Sequence, residues 1–319
     1  SILSGTNFAA SGFAIDLKGN WINNHTFTPS GNTVTFSGTS NPQTITGTTT
    51  FYDLVINNTH SGTPTVTLNN DITISNALTL TAGRVVLGNN NLTIDAGAAL
   101  SYTGGWVETN GTGRLIRNGS GSDVEFPVGD ATGRRLVTMS STGVGANWVR
   151  FTTSISPSIT GTNPAAGMWI IERPTGTTQL KFSNVGGTAD ATSRIYYDNS
   201  GTWTLVDTKT SPLPPPYETV NPESFTGTSR TYTVFTPSPP LYSRKSGDWN
   251  DISPGDGTWS LVSHTGPSCD CVPTASNNVF IDKDHEVTIP TGYTAMAQSI
   301  TLVDKGSGTS GGRLKVEGT

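Results

Sequence analysis

Residue types that could do chemistry are sparse in this 319-residue chain, and their spacing matches no common catalytic motif. The chain has 4 histidines: His25, His60, His264 and His285. No zinc-binding His-Glu-x-x-His, no Gly-x-Ser-x-Gly nucleophile turn and no phosphate-loop lysine motif is present. An enzyme that cleaves polysaccharides needs paired carboxylates near basic side chains. Residues 31–105 offer only Arg84 and three separated acids, Asp53, Asp71 and Asp95, so we do not expect a catalytic cleft there.

Oxygen-bearing side chains cluster around one tryptophan: Asp248, Asn250, Asp251 and Asp256. Carboxylate and amide oxygens are the ligands that Ca²⁺ prefers, so this cluster is a candidate calcium site. Apart from this calcium we expect no cofactor. The spacing differs from that of known calcium loops, and Asp and Asn also form turns through their own side chains. We favour the turn interpretation. A second charged run, residues 282–286, is interpreted as a corner with solvated charges.

Cys269 and Cys271 are the 2 cysteines of the chain. Two cysteines in an exported protein usually pair, so we predict a structural disulfide between them. Free or intermolecular thiols are one alternative. Another is a zinc site that also uses His264 and His285, although their spacing matches no common zinc template.

Composition excludes several classes of protein. With 18 basic and 23 acidic residues the net charge is −5, whereas nucleic-acid and anionic-membrane surfaces need clustered Lys and Arg. No apolar run reaches the length of about 18 residues that inserts into a bilayer. The 37 glycines and 19 prolines, with few strong helix formers, predict an all-β fold. The first residues have neither an initiator Met nor a signal-peptide pattern, which suggests a piece of a longer chain.

Apolar–x–apolar triplets recur at short intervals between Val34 and Ile94. From Val66 onward their first residues are six or seven positions apart. Two inward apolar positions that flank an outward residue are typical of a β-strand. So short a period predicts a parallel β-helix, with three short strands and three Asn- or Gly-containing corners in each coil. A sandwich of short hairpins is the alternative.

The pattern changes twice along the chain. From about Trp106 to Phe235 the strands lengthen and alternate, as is typical of an antiparallel β-sandwich, which we expect to start properly at residues 126–129. Triplets then return at Val279–Ile281 and Val287–Ile289. We therefore predict parallel β-helix segments at both ends of an antiparallel β-sandwich, with these boundaries: 1–105 for the first β-helix, 106–236 for the sandwich, and 237–319 for a linker and the start of a second β-helix.

Three parts of the sequence carry a resemblance. The stretch "GNTVTFSGTSNPQTITGTTTFYDLVINN" with "LTLTAGRVVLGNNNLTIDAGAAL", the stretch "FPVGDATGRRLVTMS", and "SGDWNDISPGDGTWS" with "CVPTASNNVFIDKDHEVTIP" resemble repeats and modules of very large surface adhesins. These are adhesins of gliding bacteria exported by type IX secretion. The resemblance implies an extracellular, surface-displayed, multi-repeat stalk or adhesin. Its motifs are structural repeats and do not imply a particular ligand.

These observations favour a non-enzymatic structural module of an extracellular adhesin or surface filament. Placed head to tail, the triplet Leu314–Val316 and the segment that begins at Ile2 read as one series of coils. We therefore expect the partners to be other copies or neighbouring repeats, joined in tandem or stacked end to end, and an end-to-end contact of this kind builds a fibre. The alternative is a boundary inside a larger, non-repeating protein.

Two other functions compete with this hypothesis. A carbohydrate-binding module of a secreted protein would stack exposed aromatic rings on surface glycans, and the candidates for these contacts are Tyr196, Tyr197, Trp203 and Tyr217. Trp203 begins a strand, a position that is more often core than binding platform. A β-helical polysaccharide-cleaving enzyme is the less favoured alternative.

Overall fold

The computed structural model describes residues 1–109, 111–156, 161–162, 164–189, 193–206, 216–238, 240–303 and 311–317. Every regular element in these ranges is a β-strand, so the all-β prediction is confirmed. The chain divides into two compact units. Unit 1 comprises Ser1–Pro157 and Asn163–Phe235, and unit 2 comprises Ser158–Thr162 and Thr236–Thr319.

Unit 1 begins with thirteen short strands: β1 (Asn7–Ala9), β2 (Ile15–Leu17), β3 (Trp21–Ile22), β4 (Thr26–Thr28), β5 (Thr33–Phe36), β6 (Gln43–Thr46), β7 (Thr49–Asn57), β8 (Thr65–Leu68), β9 (Ile72–Ala82), β10 (Arg84–Val86), β11 (Leu92–Ile94), β12 (Ala99–Tyr102) and β13 (Trp106–Glu108). They pair in parallel from coil to coil. Two long parallel ladders run in the orders β3-β6-β8-β10-β13 and β2-β5-β7-β9-β11. The stacked parallel coils predicted from the triplets are therefore confirmed.

Inward-facing apolar residues form rows that continue from one coil to the next. Val34 pairs with Leu54, and Leu54 pairs with Leu78. All three side chains are fully buried, while the threonines beside them are only partly buried. This alternation repeats the period of a strand, because successive side chains point to opposite faces. Each coil thus buries its triplets against the coil before and the coil after it.

The remaining strands up to residue 237 are β14 (Leu115–Asn118), β15 (Ser122–Phe126), β16 (Val128–Asp130), β17 (Gly133–Arg134), β18 (Leu136–Ser141), β19 (Ala146–Thr152), β20 (Gly161–Thr162), β21 (Met168–Glu172), β22 (Gly176–Thr178), β23 (Leu180–Ser183), β24 (Arg194–Asp198), β25 (Trp203–Leu205), β26 (Tyr217–Glu218), β27 (Glu223–Phe225) and β28 (Arg230–Pro237). Antiparallel pairing prevails in two sheets. One follows the order β14-β19-β21-β28-β24-β25 and the other the order β15-β18-β23-β26.

The boundary that we placed at residue 105 does not coincide with a change of fold. β13 pairs in parallel with both β10 and β16, so the parallel ladder continues to Asp130. The row Val85–Val107–Val128 is fully buried. Because one hydrophobic cluster extends from these coils into the antiparallel sheets, residues 1–105 and the following region form one compact unit.

Unit 2 contains seven further strands: β29 (Leu241–Ser243), β30 (Gly247–Asp248), β31 (Trp259–Ser260), β32 (Asn278–Ile281), β33 (Glu286–Ile289), β34 (Ser299–Leu302) and β35 (Arg313–Val316). Parallel ladders run in the orders β29-β32-β34 and β30-β33-β35, and β31 pairs antiparallel with β29. The fully buried core is small: Leu241, Trp249, Trp259, Val279, Ile281 and Val287. Parallel coils thus return near the C-terminus, as the second set of triplets predicted.

Polar side chains close the corners of the coils in unit 1. The buried Gln43 donates from Nε2 to the carbonyl oxygens of Leu17 and Gly19, and its Oε1 accepts from the backbone N–H of Gly38 and from Nδ2 of Asn58. All polar atoms of this side chain have hydrogen-bond partners, so its burial costs little free energy. At another corner Gly47 has φ +88°, and a Cβ there would collide with the carbonyl oxygen of Asn23. Only glycine fits that corner without strain.

Candidate functional site

The proposed calcium ligands do not converge. Lys245 Nζ lies 3.3 Å from Asp251 Oδ2 and 3.1 Å from Asp256 Oδ2. Asp248 and Asn250 are exposed, and the carboxylates of this cluster do not meet at one point within the described residues. Cationic side chains of the chain itself therefore occupy the positions next to these acids.

Hydrogen bonds give two acids of this cluster, Asp251 and Asp256, structural partners. The pKa of Asp251 is lowered, first by the Ser253 hydroxyl and backbone N–H and then by Lys245. The pKa of Asp256 is lowered by hydrogen bonds from Lys245 and then from Arg244, whose Nη1 lies 3.2 Å from Asp256 Oδ1. The bond from the Ser253 N–H to Asp251 Oδ1, 3.0 Å long, is that of a turn closed by its own side chain. The geometry favours the turn interpretation.

The two cysteines are joined in unit 2. Cys269 and Cys271 form a disulfide with their Cα atoms 5.1 Å apart. The Cys269 N–H donates to the carbonyl oxygen of Trp259 at 2.9 Å, and both cysteines pack against the small core. Since both sulfur atoms are in this bond, neither can act as a thiolate ligand, and a zinc site built from both cysteines and the two histidines is not formed.

The four aromatic residues proposed for glycan contacts differ in exposure. Tyr196 is buried with its ring stacked on Phe235 at a centroid distance of 4.1 Å, and Tyr217 is fully buried. Covered ring faces cannot stack on a sugar, so the prediction does not hold for these two residues. Tyr197 and Trp203 are half-buried and remain predictions.

The acidic side chains of the first coils form hydrogen bonds between neighbouring coils. Asp53 accepts from Asn76 at 2.7 Å, Asp71 from the backbone N–H of Asn91 at 2.8 Å, and Asp95 from Asn118 at 3.5 Å. In every case the asparagine lies one coil further along the chain. We call these three pairs the Asn–Asp ladder. These carboxylates bind neighbouring coils and do not form the close pair that glycoside hydrolysis requires.

Ligand-type side chains do converge in unit 2. His264, Asp282 and His285 each offer one potential ligand atom, and these three atoms lie within 4.8 Å of one another. All three side chains are half-buried. Among the described residues, this is the one group of three or more His, Cys, Asp or Glu side chains close enough to hold a single ion.

The coil architecture brings these residues to Ser243, the last residue of β29. β32 pairs in parallel with β29, so Asp282, which follows β32, arrives beside Ser243, and its backbone N–H donates to the Ser243 hydroxyl at 2.9 Å. A turn closed by the bond from the His285 N–H to the Asp282 carbonyl, 3.0 Å long, places the imidazole next to it. β31 pairs antiparallel with β29 and leads into the loop that holds His264.

Both imidazole rings contact the same fully buried serine. His264 Nδ1 lies 2.7 Å from the Ser243 carbonyl oxygen. His285 Nδ1 lies 3.0 Å from that oxygen and 2.8 Å from the Ser243 hydroxyl. A carbonyl oxygen only accepts, so His264 Nδ1 carries a proton and the free lone pair of the neutral ring is on Nε2. Because the hydroxyl itself is fully buried, a substrate cannot reach it as a nucleophile.

Aromatic and charged side chains surround the cluster. The Tyr242 ring meets His264 edge-on at 5.2 Å and stacks on Phe280 at 5.4 Å. Beside His285 opens a polar cavity of about 240 Å³, whose lining includes Lys283, Glu286 and Arg313. Acids and bases are mixed in this wall, so the cavity has no strong preference for one sign of charge.

The first coil of unit 1 presents a different surface. A groove of about 420 Å³ is lined mainly by apolar side chains: Ile2, Phe8, Ile15, Leu17, Trp21 and Ile22. Phe8 is 41% exposed and Ile22 is 37% exposed. Within the described chain β2 has a strand partner on one side only, whereas the outer edge of β3 bonds to Ile2, whose N–H donates to the Ile22 carbonyl at 2.7 Å. Unpaired edges and open apolar rows are features that a further coil would cover.

No family model matches this chain, and no curated protein or solved structure is significantly similar to it. Within the described ranges no helix has the length and apolar character required to cross a membrane.

Proposed function

We propose that this chain is a non-enzymatic structural module of an extracellular adhesin or surface filament, joined to like modules in tandem or end to end. The observation that carries the proposal is the apolar groove on the first parallel coil of unit 1. A solenoid coil is stabilised by its neighbours on both sides, so this edge suits a further coil of the same kind.

Three other features support this proposal. The acids of the first coils are engaged in the Asn–Asp ladder, and Asp251 and Asp256 of the predicted calcium cluster form ion pairs with Lys245 and Arg244. The disulfide suits an oxidising, extracellular setting. The resemblance of the repeats to type IX-exported adhesins points to the same location and to the cell surface.

We also propose that the two antiparallel sheets of unit 1 pack face to face as a sandwich. Trp169 of β21 and Phe182 of β23 belong to different sheets, and their ring centroids lie 4.9 Å apart. Phe182 also approaches Tyr232 of β28, at 5.9 Å. Close aromatic pairs between two sheets support a shared core, as expected for a sandwich.

The proposal predicts concentration-dependent association through the first-coil groove. Electron microscopy and sedimentation of the concentrated chain should show axial assemblies. Ile22→Lys places a charge in the groove and should abolish them, whereas Val144→Lys, at a residue that is 82% exposed and outside the groove, should not. A dispersed monomer at high concentration, together with a parent gene that holds a single copy, would contradict the proposal.

A further inference from the structure

The cluster of His264, Asp282 and His285 has the donor atoms of a transition-metal site. Two imidazoles and a carboxylate suit Zn²⁺, which binds nitrogen and oxygen ligands at about 2.0–2.2 Å. Ca²⁺ prefers oxygen ligands alone and suits this set poorly. Ligands of a tetrahedral zinc ion lie roughly 3.3 Å apart at those bond lengths. A ring nitrogen of each histidine and a carboxylate oxygen of Asp282 already lie within 4.8 Å of one another, so their separations need to shorten by at most about 1.5 Å.

Ser243 contacts the imidazole rings of His264 and His285 in the way that hydrogen-bond partners of metal-bound histidines do. Metal-bound histidines usually donate their second ring N–H to a carbonyl or carboxylate, which fixes the tautomer and aims the other nitrogen at the metal. His264 makes that bond to the Ser243 carbonyl, and His285 has the same oxygen within 3.0 Å. The Ser243 hydroxyl accepts from the Asp282 N–H, so a single buried residue contacts all three potential ligands.

From this geometry we propose that His264, Asp282 and His285 bind a zinc ion, with a water molecule completing the coordination. The ion ties together two segments of unit 2: the loop after β31, which holds His264, and the corner between β32 and β33, which holds Asp282 and His285. Its role is structural, because a unit with so small a core gains stability from a metal link. This inference does not depend on the proposed role of the chain in an adhesin.

Zinc binding to the full chain tests the proposal. Chelator-treated protein is titrated with zinc chloride in a calorimeter and examined by native mass spectrometry. We expect one zinc ion per chain. His264→Ala and His285→Ala should each weaken zinc binding at least about tenfold. His25→Ala and His60→Ala remove the histidines of unit 1 and are the matched controls, which should bind zinc as the unaltered chain does.

A conservative variant keeps the test valid if an alanine variant misfolds. Asp282→Asn preserves the size of the side chain and an oxygen for the Lys283 N–H, which donates to Asp282 Oδ1 at 2.7 Å, but it removes the charge. It should weaken zinc binding while hydrogen exchange of the zinc-free protein is unchanged. Zinc should slow amide exchange at residues 241–243 and 281–289 of the unaltered chain and of the two control variants, and should slow it less in Asp282→Asn. Absence of zinc binding, or equal binding by Asp282→Asn and all four histidine variants, would overturn the proposal.

Discussion

Units 1 and 2 build the same parallel coil and stabilise it differently. In unit 1 the buried apolar residues form one cluster that extends through successive coils into the antiparallel sheets. In the described part of unit 2 the buried hydrophobic core consists of six side chains, and two of them, Trp249 and Trp259, meet edge to face at 5.1 Å. A coil inside a long stack is supported on both sides, whereas a short stack depends on a few large side chains and on polar links. The comparison teaches that repetition can replace individual strong contacts.

The largest effect should come from Trp259→Ala. Trp259 is fully buried, and its Nε1 donates to the Trp249 carbonyl at 2.7 Å. Removing a buried tryptophan costs about 4 kcal/mol, which is enough to unfold a small unit. Hydrogen exchange should show loss of protection in β29 to β33 while β5 to β11 remain protected. Phe13→Ala, at a ring that is 76% exposed, is the control and should change little. Equal loss of protection in both units would contradict the comparison.

Leu78→Ala should cost somewhat less and should leave unit 1 folded. Leu78 is fully buried in the row that contains Leu54. Its truncation leaves a cavity, which should lower the free energy of unfolding by about 3 kcal/mol. Chemical denaturation followed by tryptophan fluorescence measures the change in the free energy of unfolding. Thr79→Ala, at the adjacent outward position, should cost under about 1 kcal/mol. If both variants lost the same amount, the inward and outward assignment of this strand would be wrong.

Two glycine corners compare the units directly. Gly47 in unit 1 has φ +88° and no room for a Cβ, whereas Gly292 in unit 2 has φ +76° and open space around it. Alanine at Gly292 should cost about 1 kcal/mol from backbone strain alone. Alanine at Gly47 must also displace the Asn23 carbonyl and should cost about 2 kcal/mol or more. Thermal denaturation of both variants measures the difference, and equal costs would show that the close approach at Gly47 is unimportant.

The smallest expected effect is a change in how the stability of unit 2 depends on pH. The pKa values of Asp251 and Asp256 are lowered in the folded state, so their contribution to stability is present above the unfolded pKa near 4 and is lost as the pH falls through the folded value. Lys245→Met should slightly destabilise unit 2 at pH 6, and the difference from the unaltered chain should vanish once the pH has fallen below the folded pKa values of the two acids. Lys18→Met, which removes the partner of Asp16, should act on unit 1 instead. A pH-independent difference would contradict the assignment.

The sequence predicts the coils well because their interior imposes a strict requirement. Most inward positions must be apolar in every coil, the hydrogen-bonded Gln43 being an exception, so triplets such as Val66–Leu68 and Leu92–Ile94 recur at nearly constant spacing. The limits of the strands are less predictable. β9 runs from Ile72 to Ala82 without a break, although Ser75 and Asn76 interrupt its apolar pattern. The parallel ladder also continues beyond residue 105, through the short strands β13 and β16, whose buried residues Val107 and Val128 extend the same apolar row.

Sites were less predictable than coils. The grouping of His264 with His285 was considered only together with the cysteines, and Asp282 was assigned to a solvated corner. The backbone and hydroxyl of Ser243 join the three residues. The residue types in a sequence do not show which backbone groups will form hydrogen bonds. One signal was available: His285 follows Asp282 by the spacing of a tight turn, next to a strand triplet. The burial of Tyr196 and Tyr217 was not predictable either, since strand alternation does not tell which face of a sheet is covered.

The parallel pairing of the first coils has a mechanical consequence. Hydrogen bonds between coils point along the direction in which the coils are stacked, so tension in that direction loads the bonds of one coil at a time. Leu54 and Leu78 are neighbours in adjacent coils, so each coil that peels away releases about 24 residues, or roughly 80 Å of extended chain. Under tension such a stack lengthens stepwise, and it dissipates work while the remaining coils stay intact.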